Sequence, residues 1–282
     1  MYPNTVFLGM GLYEICIMLG VVAALVLADR IGVKKGFSIA LQKMLILSIV
    51  GAVVIGFFGA ILFQAFYDFL ETGTFSLQAG MTFYGGFIFG VGGFLLFWLV
   101  ISKAFGVQKE AIVNTRQVAD MAGCIVPLAH ALGRLGCFFA GCCHGNVTDK
   151  WYGVKMWICL TDGNGECTWQ WAKVVPLQLF EAAFLFVLAA VLFVVLIKRN
   201  KNEQKRVPVL PLYFIGYAIW RFCIEFARGD ERGASPVPFL SPSQFVAVIL
   251  FAVGIVYLCI WIYKTIIKKE RKHGENCGNG NV

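Results

Sequence analysis

Seven long apolar runs, separated by short polar stretches, organise the chain. They fall near Gly9 to Ala28, Met44 to Phe66, Thr82 to Phe105, Val118 to Ala140, Pro176 to Ile197, Val209 to Phe226 and Phe245 to Tyr263. Each approaches or exceeds the roughly 20 apolar residues that a helix needs to cross a bilayer. The pattern predicts an all-α integral membrane protein: a membrane domain of seven transmembrane helices over residues 1–263, followed by a basic cytoplasmic tail at 264–282. Residues 141–175, between spans 4 and 5, form the longest outer segment and are expected to make a small outer cap. That cap is rich in aromatics (Trp151, Tyr152, Trp157, Trp169, Trp171), and Lys155 to Trp169 reads as a hairpin around Asp162-Gly163-Asn164-Gly165. The first run ends on Asp29-Arg30 with no small-residue cleavage site after it, so it is expected to stay as an uncleaved span.

Composition agrees with this reading. Of the 282 residues, 59% are hydrophobic and 14% charged, and mean hydropathy is +0.76. A soluble domain carries about 25% charge and 45–50% apolar residues, which argues against a soluble enzyme and against disorder. The net charge of +8 does not point to nucleic acid, because the basic residues flank the apolar runs. Seventeen of the 24 Lys and Arg lie after span 1, between spans 3 and 4, between spans 5 and 6, and after span 7. These are alternate loops, so the positive-inside rule puts the N-terminus outside and the C-terminus in the cytoplasm.

Ionisable groups in hydrocarbon cost about 2.5 to 3.5 kcal/mol each on insertion scales, so they tend to pair or to line a site. With this topology Tyr13, Glu14, Tyr84, Arg134, Gln178, Glu181, Glu225, Arg228 and Gln244 all lie in the outer half of their spans. In span 6, Tyr217, Arg221, Glu225 and Arg228 follow at spacings of 4, 4 and 3, on one helix face. Either Arg221 and Glu225 form an internal ion pair that holds the helices, or the stripe lines a site. Arg134 sits one turn from His130 among Gly133, Gly136, Gly141 and Gly145. A snorkelling arginine beside packing glycines is one reading. The other is an anion site completed by Arg221, since guanidinium forks match phosphate oxygens.

Cys137, Cys142, Cys143, Cys159 and Cys167 fall in the outer region. Cys159 and Cys167 flank the expected hairpin turn and suit a disulfide in an oxidising compartment. Cys137, Cys142, Cys143 and His144 offer soft-metal donors, although adjacent cysteines rarely share one ion and no C-x-x-C pair is present. No metal and no cofactor is expected. Cys16, Cys124, Cys223 and Cys259, inside spans, read as small apolar fillers.

These motifs, in their order, resemble the prolipoprotein diacylglyceryl transferase family. The resemblance rests on Tyr13, Phe83-Tyr84-Gly85-Gly86, Val118-Ala119-Asp120, Gly133-Arg134-Leu135-Gly136 through Gly145, Pro176-Leu177-Gln178-Leu179-Phe180-Glu181, and Tyr217 through Arg221, Glu225 and Arg228. It covers nearly the whole chain. It implies a seven-span enzyme of the bacterial inner membrane that moves the diacylglyceryl group of phosphatidylglycerol to the lipobox cysteine of a preprolipoprotein, with release of glycerol phosphate. It further implies catalytic roles for Arg134, Arg221, Glu225 and Tyr84. Substrate contacts are implied at Tyr13, Gly85, Gly86, Gly133, Gly136, Gly145, Gln178, Glu181, Tyr217 and Arg228, with the two arginines on the phosphate.

The chain departs from the family pattern at three places. Tyr84 stands where the family has the histidine of a His-Gly-Gly motif; Cys137, Ala140 and Cys142 replace two asparagines and a glutamate; and Ala60 aligns with a second-span arginine. Tyrosine titrates near 10, so His130, His144 and Glu225 become candidates for the base. Two alternatives to the family activity stay open: the same lipid-binding scaffold serving another acceptor, and a membrane thiol-redox or metal protein using Cys137, Cys142, Cys143 and His144. A transporter would show an inverted repeat with broken helices, and none is visible in the sequence.

Overall fold

The computed structural model describes residues 9–77, 82–161, 167–198, 207–229, 237 and 239–278. Among them are seven helices long and apolar enough to cross a membrane: Leu12–Lys35, Ile39–Leu70, Gly85–Ala104, Gln108–Ala140, Leu177–Ile197, Val209–Ala227 and Pro242–Thr265. The chain is therefore a multi-pass, mostly helical membrane protein. Its elements are α1 (Leu12–Lys35), α2 (Ile39–Thr72), α3 (Phe83–Leu95), α4 (Gln108–Ala140), β1 (Val154–Thr161), β2 (Cys167–Val174), α5 (Leu177–Ile197), α6 (Val209–Ile224) and α7 (Pro242–Gly278). Large apolar side chains such as Phe57, Val187 and Tyr263 are exposed, as expected where hydrocarbon is the solvent.

Two helices begin well before their apolar runs. α2 starts at Ile39, where Ser38 caps it by accepting from the Leu41 N–H at 3.1 Å. The Ser38 hydroxyl in turn donates to Glu110 Oε2 at 2.6 Å. α4 starts at Gln108, and its polar first turns lie outside any hydropathy window. The span boundaries expected at Met44 and Val118 follow hydrophobicity; the helices themselves follow caps and backbone hydrogen bonding.

Contacts divide the chain into two compact units, one of residues Leu25–Val118 and the other of Met1–Ala24 with Ala119–Val282. In the first, α2 and α3 pack through small residues. A Cβ on Gly85 would lie 2.6 Å from the Gly59 carbonyl oxygen and 3.1 Å from Ala60 Cα, so only glycine permits this approach. After α3 the chain widens over Leu96–Ile101, where Ser102 N–H reaches back five residues to the Phe97 carbonyl. Trp98, buried in that turn, donates to Thr115 Oγ1 at 3.1 Å.

In the second unit β1 and β2 pair antiparallel, Val154 opposite Val174 through Thr161 opposite Cys167. The hairpin is thus longer than Lys155 to Trp169, while its turn, 162–166, lies outside the described residues. One face buries Met156, Ile158 and Val174 against Phe138 of α4. The other carries Trp157 and Trp171, with ring centroids 5.6 Å apart. Cys159 is disulfide-bonded; the side chain of Cys167, its expected partner, lies outside the described residues.

Asp120 fixes the start of α6. Its Oδ1 accepts from the Val209 N–H at 2.6 Å, and the carboxylate is buried. A helix N-terminus presents unpaired N–H groups and a partial positive charge, so a buried carboxylate there is well placed. Replacing Asp120 by alanine should cost about 1 to 3 kcal/mol by leaving that amide unsatisfied. The expected result is a lower unfolding midpoint in detergent for Asp120→Ala, with Asp120→Asn, which keeps an acceptor, losing less.

Candidate functional site

A single carboxylate gathers the buried polar residues of the second unit. Glu181, in the second turn of α5, is 1% exposed, and four groups from two other helices converge on it. Arg134 Nε of α4 lies 3.0 Å from Oε2, and Arg221 Nη1 of α6 lies 3.7 Å from the same oxygen. The Tyr217 hydroxyl donates to Oε1 at 3.0 Å. His130 Nε2 stands 4.0 Å from Oε1, its ring edge-on to Tyr217 with centroids 5.1 Å apart.

The spacing on α6 places a second carboxylate one turn further along. Arg221 Nη2 meets Glu225 Oε2 at 2.8 Å, the i,i+4 pair expected from the sequence, and Arg228 Nε stands 3.9 Å from that same oxygen. Tyr217, one turn before Arg221, engages Glu181. Arg134, Arg221 and Arg228 against Glu181 and Glu225 give these five groups one net positive charge.

Two residues that sequence reading passed over complete the arrangement. Arg221 Nη2 donates to Ser243 Oγ at 2.7 Å, and Ser241 Oγ donates to Glu225 Oε1 at 2.9 Å. Both sit at the start of α7. Ser241 Oγ also accepts from the Gln244 N–H at 3.2 Å while Gln244 Oε1 accepts from the Ser241 N–H at 3.0 Å. This reciprocal capping is written in the sequence as Ser241-Pro242-Ser243-Gln244, and reading that motif would have found the serines.

The segment after α4 closes over this region. Gly145 pairs with Arg228 as an isolated antiparallel bridge, and its N–H donates to the Val175 carbonyl at 2.9 Å. A Cβ at Gly145 would lie 2.8 Å from the Ala227 carbonyl oxygen and 2.9 Å from side-chain atoms of Leu177 and Val175, so the position admits only glycine. Gln178, buried, donates to the Cys142 carbonyl at 2.6 Å. His144 is buried, and its Nδ1 lies 3.0 Å from the Gly145 carbonyl oxygen. A carbonyl can only accept, so Nδ1 is the donor in this contact.

The remaining sequence-expected residues fall as follows. Gly136 is where α1 meets α4: a Cβ there would lie 3.2 Å from the Tyr13 ring and backbone. Gly133 faces open space. Gly85 and Gly86 belong to the other unit, in the first turn of α3, where Gly85 serves the approach to α2. Tyr84 is also in that first turn, and its side chain lies outside the described residues. Cys137, Cys142 and Cys143 bring their sulfur atoms within 4.8 Å of one another. Hydrogen bonds with Cys137 and Cys142 hold the Cys143 thiol below the usual thiol range, aided by Arg134 and Arg228. Bonding with Cys137 and Cys143 pushes Cys142 up.

A family model described as prolipoprotein diacylglyceryl transferase matches residues 5–260. The chain is 30% identical over 247 residues to a Clostridium perfringens protein named phosphatidylglycerol--prolipoprotein diacylglyceryl transferase 2, covering 86% of this chain and 88% of that one. It is 30% identical over 250 residues to a Clostridium tetani protein named phosphatidylglycerol--prolipoprotein diacylglyceryl transferase, covering 86% and 90%. A Pseudoalteromonas translucida protein of the same name is 27% identical over 270 residues, covering 93% and 92%. With seven apolar spans and a match along nearly its whole length, this chain belongs to the prolipoprotein diacylglyceryl transferase family.

Proposed function

We propose that the chain transfers the diacylglyceryl group of phosphatidylglycerol to the lipobox cysteine thiol of a preprolipoprotein and releases glycerol phosphate, with the chemistry at Arg134 and Arg221. The orientation that goes with it, from the charge pattern, has the N-terminus outside, the C-terminus in the cytoplasm and the hairpin on the outer face of a bacterial inner membrane.

One observation carries the reading beyond family membership: three guanidinium groups and two carboxylates lie together in otherwise apolar helices with one positive charge in excess. That is the complement of a lipid phosphodiester, which carries a single negative charge. Arg134 meets Glu181 through Nε, and no ion pair or hydrogen bond among the described residues engages its Nη edge, the edge that forks a phosphate. Attack of a thiolate on the glyceryl carbon breaks the carbon–oxygen bond to phosphate, and the departing group gains a second negative charge. Fixed cations that meet this charge stabilise the transition state more than the bound lipid. Glu181 holds both guanidiniums in register, Tyr217 steadies Glu181, and Gly145 lets the Cys142–His144 segment approach Arg228. The open space at Gly133 suits lipid, and Tyr13, Gly136 and Gln178 shape the surrounding wall.

The acceptor thiol must lose its proton. Glu225 is already engaged by Arg221 and Ser241, which gives it a structural role. His144 is buried, and its Nδ1 contact with the Gly145 carbonyl orients the ring; we assign it the base role.

Purified protein in detergent, given headgroup-labelled phosphatidylglycerol, should release glycerol phosphate only when a lipobox peptide is present. No release from folded protein, with or without peptide, would overturn the reading. Arg134→Ala and Arg221→Ala, if inserted at normal levels, should each lower transfer by about 100-fold or more, the scale seen when one donor to a developing oxyanion is lost.

His144→Gln should lower the turnover number by about 100-fold, as for other general bases, while His130→Gln should cost less than about tenfold. The reverse order would move the base to His130.

A further inference from the structure

The geometry points to a metal site of this chain's own: we propose that Cys137, Cys142 and Cys143 bind one cuprous ion in trigonal three-thiolate coordination at the C-terminal end of α4.

The sequence spacing alone argues against a shared ion, because adjacent cysteines usually point apart. The backbone removes that objection. Cys137 is in the last turn of α4. Gly141, at φ +77°, stops the helix, and the Cys142 N–H returns to the Cys137 carbonyl at 3.2 Å. Cys143 then takes φ +62°, the one positive φ at a non-glycine position among the described residues. An L-residue in that conformation costs on the order of 1–2 kcal/mol, so the surroundings must hold it there. They do so by the Gln178 bond to the Cys142 carbonyl at 2.6 Å and the Gly145 bond to Val175 at 2.9 Å. The two reversals bring Cys142 and Cys143 back to Cys137, with all three sulfurs within 4.8 Å of one another.

Metal–thiolate bonds are about 2.3 Å long, so three sulfurs around an ion in one plane lie about 4 Å apart. Closing from the observed separation asks for less than about an ångström of movement. No His, Asp or Glu donor joins the group among the described residues. Zinc in structural sites takes four ligands, whereas a three-thiolate set suits a soft monovalent d10 ion. Cys142 is exposed while Cys137 and Cys143 are partly buried, which leaves an entry path.

The test uses the full chain, purified in detergent and reduced under anaerobic conditions, without lipid or peptide, so its outcome is independent of the transfer reaction. Cu(I), supplied from a competing chelator of known affinity, should bind at one equivalent per chain. X-ray absorption on the loaded protein should report three sulfur neighbours at about 2.3 Å. Cys137→Ser, Cys142→Ser and Cys143→Ser should each weaken binding by more than about 100-fold, beyond the range for groups that merely support a ligand, while Cys223→Ser should leave the titration unchanged. Copper that binds with fewer than three sulfurs, binding that survives the three substitutions, or a preference for Zn(II) over Cu(I) would overturn the proposal. The absorption measurement needs no variant, so a misfolded serine mutant does not decide the matter.

Discussion

The carboxylate of Glu181 is the constraint on which the rest of the second unit depends. Two arginines, a tyrosine and a histidine from α4 and α6 meet on a group that is 1% exposed. A charge at the centre of a span costs about 2.5 to 3.5 kcal/mol on insertion scales, and an unpartnered buried one is worse. Removing one member of such a set typically costs 3 to 5 kcal/mol, because it leaves the others uncompensated. Each charge therefore requires the others, and their mutual requirement sets the register of α4, α5 and α6 where apolar packing alone would let the helices slide.

Anchors at both ends of α6 keep that register. At its start Asp120 accepts from Val209; past its end Gly145 bridges to Arg228, and the Asn146 N–H donates to the Ala227 carbonyl at 3.2 Å. Between them the stripe of Tyr217, Arg221 and Glu225 has little freedom to turn. The start of α7 adds Ser241 and Ser243 from the other side. A guanidinium held by a carboxylate on one edge and a serine on another is oriented before any ligand arrives, which is what preorganised electrostatic stabilisation requires.

Much of this was legible in the sequence, and the exceptions have physical reasons. The spans were legible because hydrocarbon demands long apolar helices, and the α6 stripe because 4, 4 and 3 spacings share a face. The early starts of α2 and α4 were not, since Ser38 and the polar turns after Gln108 carry helix signals that hydropathy ignores. Glu181 was visible as an intramembrane carboxylate, but its sharing between Arg134 and Arg221 depends on how three helices meet. Ser243 looks ordinary in sequence and matters only through where the capping box at Ser241 starts α7. The meeting of three thiols was the least legible, because it depends on a left-handed residue at Cys143 that no side-chain pattern announces.

The excess of one positive charge also bears on how the proposed transfer would turn over. A phosphodiester brings one negative charge and the released phosphate monoester approaches two, so a site with one cation to spare balances the substrate and is outweighed by the product. A fully unpaired pair of arginines would bind lipid more tightly without gaining more in the transition state, which lowers KM and leaves the chemical step unchanged. Glu181 and Glu225 remove that excess. In the proposed transfer they hold guanidinium groups in place while lowering their grip on a resting lipid, so that the strongest attraction falls on the charge that develops as the carbon–oxygen bond breaks.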